Sequence, residues 1–263
     1  MNSYIHLIRH GITAGNENRW YYGRMDIPLT ARGIAQLEKL RADGIYPNVQ
    51  NADCYTSGML RTEQTFQTIY GDLPHKTLPL LREMNFGAWE GMSFEEIEQD
   101  TAHKAAFDDW MRVTDGSFAF PEGGDSVNSF YARVRGGLAE LEGLHRLKEL
   151  SCRHNGNDAV SLVVCHGGVI AAAMEHYFPG QRENFWQWIP DPGHGYTISF
   201  AAGKEIRDRA FGSRKLPPKN PRGLLALRGD FLGYRKYHCA IFHHLILNDT
   251  IVLSPLMSVT TSL

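Results

Sequence analysis

The chain has 263 residues, enough for one or two domains with a buried core. Its formal net charge of -2 argues against a nucleic-acid-binding protein, since proteins that bind the phosphate backbone carry a basic excess. The charge is unevenly distributed, because residues 1–200 hold 17 basic and 25 acidic side chains, whereas residues 201–263 hold 10 and 4. Such asymmetry predicts an acidic main part followed by a basic extension.

The cysteine spacing favours a reducing compartment, and the apolar stretches favour neither a signal peptide nor a membrane span. The four cysteines lie far apart without a C-x-x-C pair, so the sequence predicts neither a disulfide framework nor a thiolate zinc site. The first apolar stretch is broken by His6 and is too short for a signal peptide. The most apolar late stretch does not reach the ~18 uninterrupted apolar residues of a membrane span. We therefore expect a cytoplasmic protein without a nucleic-acid or membrane partner, and the sequence leaves its oligomeric state open.

Short apolar runs alternate along the chain with amphipathic stretches, a pattern typical of an α/β fold with a largely parallel sheet. The sequence predicts strands at residues 4–8, 52–57, 76–81 and 159–165, and helices at residues 29–42, 59–70, 126–150 and 170–178. Pro79 places the third strand towards a sheet edge, because proline cannot donate a ladder hydrogen bond. Residues 196–200 and the few residues after Gly203 are expected to form a closing hairpin. The expected architecture is a three-layer α/β/α fold.

Polar side chains suited to one active site follow each of the four predicted strands. In chain order these are Arg9 and His10, then Arg61, then Glu83, and finally His166 with Gly167 and Gly168. Ligands of open α/β sheets bind at the carboxyl ends of the strands. The sequence therefore predicts that these residues line a single crevice.

Two arginines, two histidines and a carboxylate make an anion site that can also transfer protons. Guanidinium groups suit phosphate oxygens, and two of them with an imidazolium would neutralise a phosphoryl group in its transition state. A crevice with so few carboxylates argues against Mg²⁺, and we expect neither a metal nor a cofactor. Histidine can form a covalent intermediate, and Glu83 can give a proton to the leaving oxygen and later take one from water.

Five sequence elements at these positions resemble the histidine phosphatase superfamily, also called the phosphoglycerate mutase-like family. LIRHGITAGN at residues 7–16 is similar to the family signature R-H-G-x-T-x-x-N. The other elements follow in family order: SGMLRTEQT, LREMNFGAWEGMSFEEI, FPEGGDSVNSF and VVCHGGVI. The resemblance covers residues 3 to about 200 and implies a phosphoglycerate mutase-like fold.

The resemblance also implies a role for each site residue. His10 would be the nucleophile that becomes phosphohistidine, and Glu83 would be the acid and then the base. The phosphoryl oxygens would be bound by Arg9, Arg61 and His166, with Asn16 lining the phosphate pocket. Further candidates for the substrate pocket are Thr13, Tyr22, Gly23, Gly167 and His194.

Two groups of neighbouring residues allow other interpretations. Glu90, Glu95 and Glu96 compete with Glu83 as the acid, but we expect them to begin a helix, where negative charge is favourable. The Trp20-Tyr21-Tyr22 run is expected to be either loop packing or a lid over the leaving group.

The segment around Glu83 distinguishes branches of the family. Cofactor-dependent phosphoglycerate mutases carry Asn-Glu-Arg-His-Tyr-Gly there, whereas this chain has REMNFGAWEG, which favours a phosphatase. The FGAWEG and PEGGDS segments resemble a small bacterial branch that includes α-ribazole phosphatases and broad-specificity phosphatases. We expect a phosphatase of a small phosphorylated metabolite, with α-ribazole 5′-phosphate of cobalamin assembly as a lead. The alternatives are a cofactor-dependent phosphoglycerate mutase and a catalytically silent phosphoryl-binding or interaction module.

The sequence divides into a catalytic domain and a C-terminal extension. We expect the catalytic domain at residues 1–208, a Pro-rich basic linker at 209–223 and an extension of unknown role at 224–263. His238, Cys239, His243 and His244 lack a recognised metal-ligand spacing, so strand packing is the favoured interpretation.

Overall fold

A six-stranded sheet in the order β4-β3-β6-β1-β7-β8 lies at the centre of the computed structural model, which describes residues 2–200 and 206–211. The strands are β1 (Ser3–Arg9), β2 (Trp20–Tyr21), β3 (Asp53–Thr56), β4 (Lys76–Thr77), β5 (Met92–Ser93), β6 (Ala159–Cys165), β7 (Gly195–Phe200) and β8 (Ile206–Phe211). Strands β4, β3, β6 and β1 pair in parallel, whereas β7 and β8 are antiparallel to their neighbours. The predicted, largely parallel sheet is confirmed, and β2 pairs separately with β5.

Helices cover both faces of this sheet. They are α2 (Ala31–Ala42) and α3 (Leu60–Tyr70) on one face, and α6 (Val127–Arg153) and α7 (Gly167–Tyr177) on the other. The described residues also form α1 (Ala14–Glu17), α4 (Phe94–Gln99) and α5 (Lys104–Arg112). Thr30 caps α2, because its hydroxyl accepts the Gly33 N–H at 3.1 Å. Helices α2 and α3 contact each other, and so do α6 and α7.

The central strands are apolar on both faces, which explains the unbroken run of β-formers in β6. Leu162 and Val164 belong to a buried cluster with residues of α2 and α3. Val163 and Cys165 belong to a second cluster with residues of α6 and α7. Alternate side chains of one strand therefore serve opposite layers, and the expected α/β/α sandwich is confirmed.

The third predicted strand is shorter than its sequence indicates. Only Lys76–Thr77 pair with β3, and Pro79–Leu81 form a 3-10 turn, so the expectation of a strand over residues 76–81 is wrong beyond Thr77. Proline cannot donate to a ladder, and β4 does lie at the sheet edge. The turn packs on α6 at Gly137, where an added Cβ atom would lie 2.6 Å from Cδ2 of Leu81.

An aromatic cluster joins Tyr21 of β2 to Trp110 of α5. Tyr21 is 4% exposed and contacts Trp89 and Trp110 edge-on, so the packing interpretation applies to this tyrosine. Phe86, which follows closely after Glu83, packs against the same cluster.

The closing hairpin is confirmed, because β7 and β8 pair in antiparallel register from Gly195 with Phe211 to Phe200 with Ile206. The sheet thus includes residues 209–211, which the sequence assigned to the linker. The rest of the linker, the extension at 224–263 and its four candidate histidine and cysteine residues lie outside the described residues. In the part of the chain that the structure describes, no helix has the length and apolar character needed to span a membrane.

Candidate active site

His10 lies directly after β1 and is held in one tautomer. Its side chain is 3% exposed, and its Nδ1 lies 2.7 Å from the Gly11 carbonyl oxygen. Since a carbonyl oxygen can only accept, Nδ1 carries the proton and Nε2 keeps its lone pair. Burial, with the nearby charges of Arg61 and Arg9, holds the pKa of His10 well below its ordinary value. The ring is therefore neutral and nucleophilic at Nε2.

Arg61 is the second residue of α3 and is fully buried. Two of its nitrogens donate to backbone carbonyls, one to Met25 at 2.9 Å and one to Gly23 at 2.8 Å. Its Nε donates to Nδ1 of His166 at 3.3 Å, and its guanidinium carbon lies 5.1 Å from the centre of the Tyr22 ring. Burial lowers the pKa of Arg61, yet arginine remains cationic in proteins. The charge is fixed in place by its partners.

His166 is the residue before α7 and packs beside His10, with ring centres 5.4 Å apart. Because its Nδ1 accepts from Arg61, its Nε2 carries the proton and donates to the Ser57 hydroxyl at 2.8 Å. Burial and neighbouring cations hold the pKa of His166 well below its ordinary value. Ser57, the residue after β3, is fully buried and is not among the residues predicted from the sequence. The Ser-x-x-x-Arg spacing to Arg61 is the signal that could have found it.

Arg9 and Glu83 both approach the first residues of α7, next to His166. A Cβ atom on Gly167 would lie 3.2 Å from Nε of Arg9, and the Gly168 N–H donates to Glu83 at 2.9 Å. Arg9 also donates to the Pro190 carbonyl at 2.8 Å, while its Nε is buried and has no hydrogen-bond partner among the described residues. The structure thus brings Arg9 and Glu83 to the N-terminal end of the helix that begins after His166.

Glu83 reaches the site from a loop. It lies six residues beyond β4, so the expectation that it directly follows a strand is wrong. Its carboxylate accepts from the Met84 and Gly168 backbone N–H groups. Because a Cβ atom on Gly168 would lie 2.5 Å from a carboxylate oxygen of Glu83, only glycine allows this approach.

Asn16, Thr13 and Tyr22 form one hydrogen-bonded group beside His10. Thr13 caps α1, and its backbone N–H and hydroxyl both lie within 3.1 Å of the Asn16 side-chain oxygen. The Thr13 hydroxyl is also 2.8 Å from the Tyr22 hydroxyl, and the Tyr22 ring packs edge-on to His10 at 6.3 Å. The amide nitrogen of Asn16 is then the part of that side chain left to donate to a ligand.

Two residues predicted for the substrate pocket, Gly23 and His194, position the site arginines through their backbone carbonyls. The Gly23 carbonyl accepts from Arg61, and a Cβ atom on Gly23 would lie 1.6 Å from the Met84 carbonyl oxygen. The His194 carbonyl accepts the Arg9 N–H at 2.9 Å, while its Nδ1 is 3.0 Å from the Pro192 carbonyl. The His194 side chain is therefore engaged with its own loop.

Glu90 has a place that the sequence did not indicate. Glu95 and Glu96 begin α4 as expected, but Glu90 ends a 3-10 turn, and the expectation that it begins a helix is wrong for this residue. Its carboxylate accepts four backbone N–H groups, those of Gly23, Arg24, Met25 and Phe86. The signal that could have found it is the isolated charge among aromatic and glycine residues in FGAWEG.

The assembled groups can act on a phosphoryl ester. A neutral histidine with a free Nε2 faces a cluster that contains two arginines and a second histidine. A carboxylate lies at the N-terminal end of α7, where it can exchange protons with a leaving group. Among the described residues, no group of three or more His, Cys, Asp or Glu side chains could hold a metal ion.

Comparisons with known proteins agree with this chemistry. The family described as "Histidine phosphatase superfamily (branch 1)" has a model that matches residues 5–209. Over 214 residues the chain is 29% identical to the adenosylcobalamin/alpha-ribazole phosphatase of Escherichia coli strain K12, with 78% of this chain and 96% of that protein covered.

Solved structures share the fold over nearly their whole length. The alpha-ribazole phosphatase from Shigella flexneri superposes with a TM-score of 0.63 at 27% identity, covering 82% of this chain and 100% of that one. A phosphoglycerate mutase from Thermus thermophilus gives a TM-score of 0.52 at 26% identity, covering 81% and 100%.

Proposed function

The chain belongs to the histidine phosphatase superfamily, and on that premise we propose that it hydrolyses phosphomonoesters through a phosphohistidine formed on His10. The observation that carries the proposal is the Nδ1 contact of His10 with the Gly11 carbonyl at 2.7 Å. This contact, together with the lowered pKa, leaves Nε2 unprotonated and able to attack phosphorus.

The reaction has two steps. In the first, the Nε2 lone pair of His10 forms a bond to phosphorus while the ester P–O bond breaks, and Glu83 gives its proton to the leaving alkoxide. In the second, water attacks the phosphohistidine, Glu83 takes a proton from that water, and inorganic phosphate leaves with the P–N bond broken. The second step returns to Glu83 the proton that it gave in the first and frees Nε2 of His10. Both residues therefore end in the states in which they began.

The charge of the phosphoryl group would be met by the two arginines beside His10, Arg61 and Arg9, while His166 is neutral. Arg61 has a fixed guanidinium, Arg9 has a buried Nε free to donate, and His166 stands beside the nucleophile. Asn16 is assigned to the same phosphate pocket through its amide nitrogen. Preorganised donors of this kind stabilise charge that develops in a transition state.

The substrate in this proposal is a small phosphorylated metabolite, with α-ribazole 5′-phosphate as the leading candidate. Two proteins with that specificity in their names are similar to nearly the whole catalytic part of the chain. We include a cytoplasmic location, which fits the free thiols of the described cysteines Cys54, Cys152 and Cys165. We also propose a catalytic domain at residues 1–208 that β8 continues to Phe211, followed by the linker and by an extension at 224–263.

The residues after Glu83 favour a phosphatase over a mutase. A mutase must hold a substrate that carries a second anionic group, and the mutase pattern has arginine and histidine at these positions. Here Met84 is buried, and the Asn85 side chain bonds the Gly87 N–H and the Gly123 carbonyl, so neither offers a positive charge.

The test is the capture of the intermediate. Wild-type protein is expected to hydrolyse p-nitrophenyl phosphate in the presence of EDTA and to yield an acid-labile, base-stable phosphoenzyme. His10→Ala is expected to lose both, since no other group replaces the nucleophile. Robust turnover by His10→Ala would overturn the mechanism, and a folded wild type without turnover would favour a silent binding module.

A substrate panel then separates the remaining functions. We expect α-ribazole 5′-phosphate to give the highest kcat/KM among sugar, nucleotide and simple alkyl phosphates. Interconversion of 2- and 3-phosphoglycerate that depends on a bisphosphate primer would instead assign the chain to the mutases.

A further inference from the structure

Glu90 binds a row of backbone N–H groups in the loop after β2. One carboxylate oxygen accepts from Gly23 and Arg24, each at 2.9 Å, and the other accepts from Met25 at 2.8 Å. The Phe86 N–H also donates to the first oxygen, at 3.0 Å. Successive backbone N–H groups of this kind form a concave anion site, and here a side chain of the same protein occupies it.

The same loop holds Arg61 on its other side. The carbonyl of Gly23 and the carbonyl of Met25 accept the two terminal guanidinium nitrogens of Arg61. The peptide groups of residues 23–25 therefore stand between the Glu90 carboxylate and the Arg61 guanidinium. Any change in how Glu90 binds the N–H groups must move the carbonyls that fix Arg61.

Glu90 also links this loop to the segment that carries the acid. Phe86 lies three residues after Glu83, and its N–H is bound by Glu90. Gly23 meets that segment directly, since a Cβ atom on Gly23 would lie 1.6 Å from the Met84 carbonyl oxygen and 3.3 Å from Cγ of Glu83. With the two segments in such close contact, one carboxylate fixes their relative position.

We propose that Glu90 is a positioning residue that aligns Arg61 with the acid Glu83, so that phosphate binding and leaving-group protonation share one support. The Glu90 carboxylate binds the backbone of the two segments, and its effect on the reaction passes through Arg61 and Glu83. The inference rests on the proposed function, because it takes the ligand of Arg61 to be a phosphoryl group.

The experiment compares Glu90→Gln and Glu90→Asp with the wild type in two measurements. One is the affinity for inorganic phosphate by calorimetry, and the other is kcat and KM for p-nitrophenyl phosphate. Glutamine keeps the size but presents an NH₂ group to N–H donors, so we expect phosphate affinity and kcat/KM to fall about 10- to 100-fold. Aspartate keeps the charge but is shorter, and its values are expected between those of glutamine and the wild type.

A matched control makes the same chemical change outside the site. Glu96 accepts one backbone N–H, that of Ser93, in the capping box of α4. Glu96→Gln should lower the thermal stability slightly and leave phosphate affinity unchanged. In an Arg61→Met background, Glu90→Gln should have no further effect on phosphate affinity, because the group that it aligns is gone.

The outcomes distinguish this inference from the proposed function. If Glu90→Gln keeps wild-type phosphate affinity and kcat while its stability falls, Glu90 is only structural and the inference is overturned. If Glu90→Gln does not fold, an unchanged phosphate affinity in Glu90→Asp overturns it equally. If the wild type binds phosphate and does not hydrolyse esters, the proposed function fails, while the effect of Glu90 on binding remains measurable.

Discussion

The groups around the proposed phosphate site and the proposed acid are supported in different ways. His10, Arg61 and His166 lie within a few residues of the ends of β1, β3 and β6, and their backbone is held by regular elements, with Arg61 in the first turn of α3. The His10 N–H donates to the Cys165 carbonyl at 3.0 Å, so the segments that carry the two histidines are joined directly. This side of the site is part of the regular fold.

The acid segment, by contrast, is held by individual side chains from distant parts of the chain. Arg133 of α6 donates to the carbonyls of Leu80, Arg82 and Glu83 at 2.7–3.0 Å and also to the Asp125 carboxylate. Asp125 in turn accepts the Asn85 N–H at 3.0 Å. Because few backbone ladders support this segment, we expect substitutions there to change turnover before they change the fold.

The largest expected effect that separates the two sides is that of Glu83→Gln. The strand-end groups remain, so the phosphohistidine should still form from p-nitrophenyl phosphate, whose leaving group scarcely needs a proton. An alkyl phosphate needs protonation, and we expect its kcat to fall about 10²- to 10⁴-fold. Without a base for the second step, phosphoenzyme should accumulate with p-nitrophenyl phosphate, as acid-quench measurements with labelled substrate would show.

Glu95→Gln is the control, since Glu95 is an exposed residue of α4. It should match the wild type with both esters. If Glu83→Gln loses activity equally towards the two esters and no phosphoenzyme accumulates, Glu83 does not have its proposed role.

A smaller effect is expected from Gly168→Ala, which tests the contact between the two sides. The added Cβ would lie 2.5 Å from a carboxylate oxygen of Glu83, so the acid must shift or lose its bond to the Gly168 N–H. We expect kcat for alkyl phosphates to fall by up to about 10²-fold, because small displacements of reacting groups have effects of that size. Phosphate affinity should change less than kcat.

Gly143→Ala supplies the matched change on α6. Nothing lies within 4 Å of its added Cβ, and alanine favours the helix by about 1 kcal/mol. Its activity should be unchanged and its thermal stability slightly raised. A Gly168→Ala enzyme with wild-type kcat would show that the close approach of Glu83 to α7 is unnecessary for turnover.

The strand-end side could be predicted from the sequence, since β1 and β6 are long apolar runs whose ends define an edge of the sheet. The position of Glu83 could not be predicted, because β4 is only two residues long and the following path depends on contacts with Arg133 and Gly137. Family resemblance marked Glu83 as the acid but contained no information on what holds it.

Glu90 illustrates the same limit. Near the start of a helix, a glutamate is ordinarily explained by the favourable charge at the helix N-terminus, and that reasoning is correct for Glu95 and Glu96. Glu90 instead binds N–H groups of residues 23–25, more than sixty positions earlier in the chain. Local sequence rules cannot detect a partner at that separation.

The smallest effect on activity is expected from a substitution of His6, which lies on β1, the strand that leads to His10. Burial, with the nearby His145, lowers the pKa of His6 to about 4. Since an unfolded histidine titrates near 6.5, the unfolded state binds more protons as the pH falls from 6.5 towards 4, and the free energy of unfolding decreases. One such residue lowers the free energy of unfolding by up to about 1.4 kcal/mol for each pH unit in this window.

His6→Gln should therefore remove about 2 kcal/mol of the stability loss between pH 7.5 and 5.0, measured by urea unfolding, and keep wild-type kcat at pH 7.5. Some pH dependence should remain, because His10, His145 and His166 also have lowered pKa values. Thr197→Val removes the hydroxyl 2.9 Å from Nδ1 of His6 but no titratable group, so it should keep most of the wild-type pH dependence. An unchanged pH dependence in His6→Gln would mean that His6 takes up a proton in the folded state. A loss of kcat would mean that a change at His6 disturbs His10.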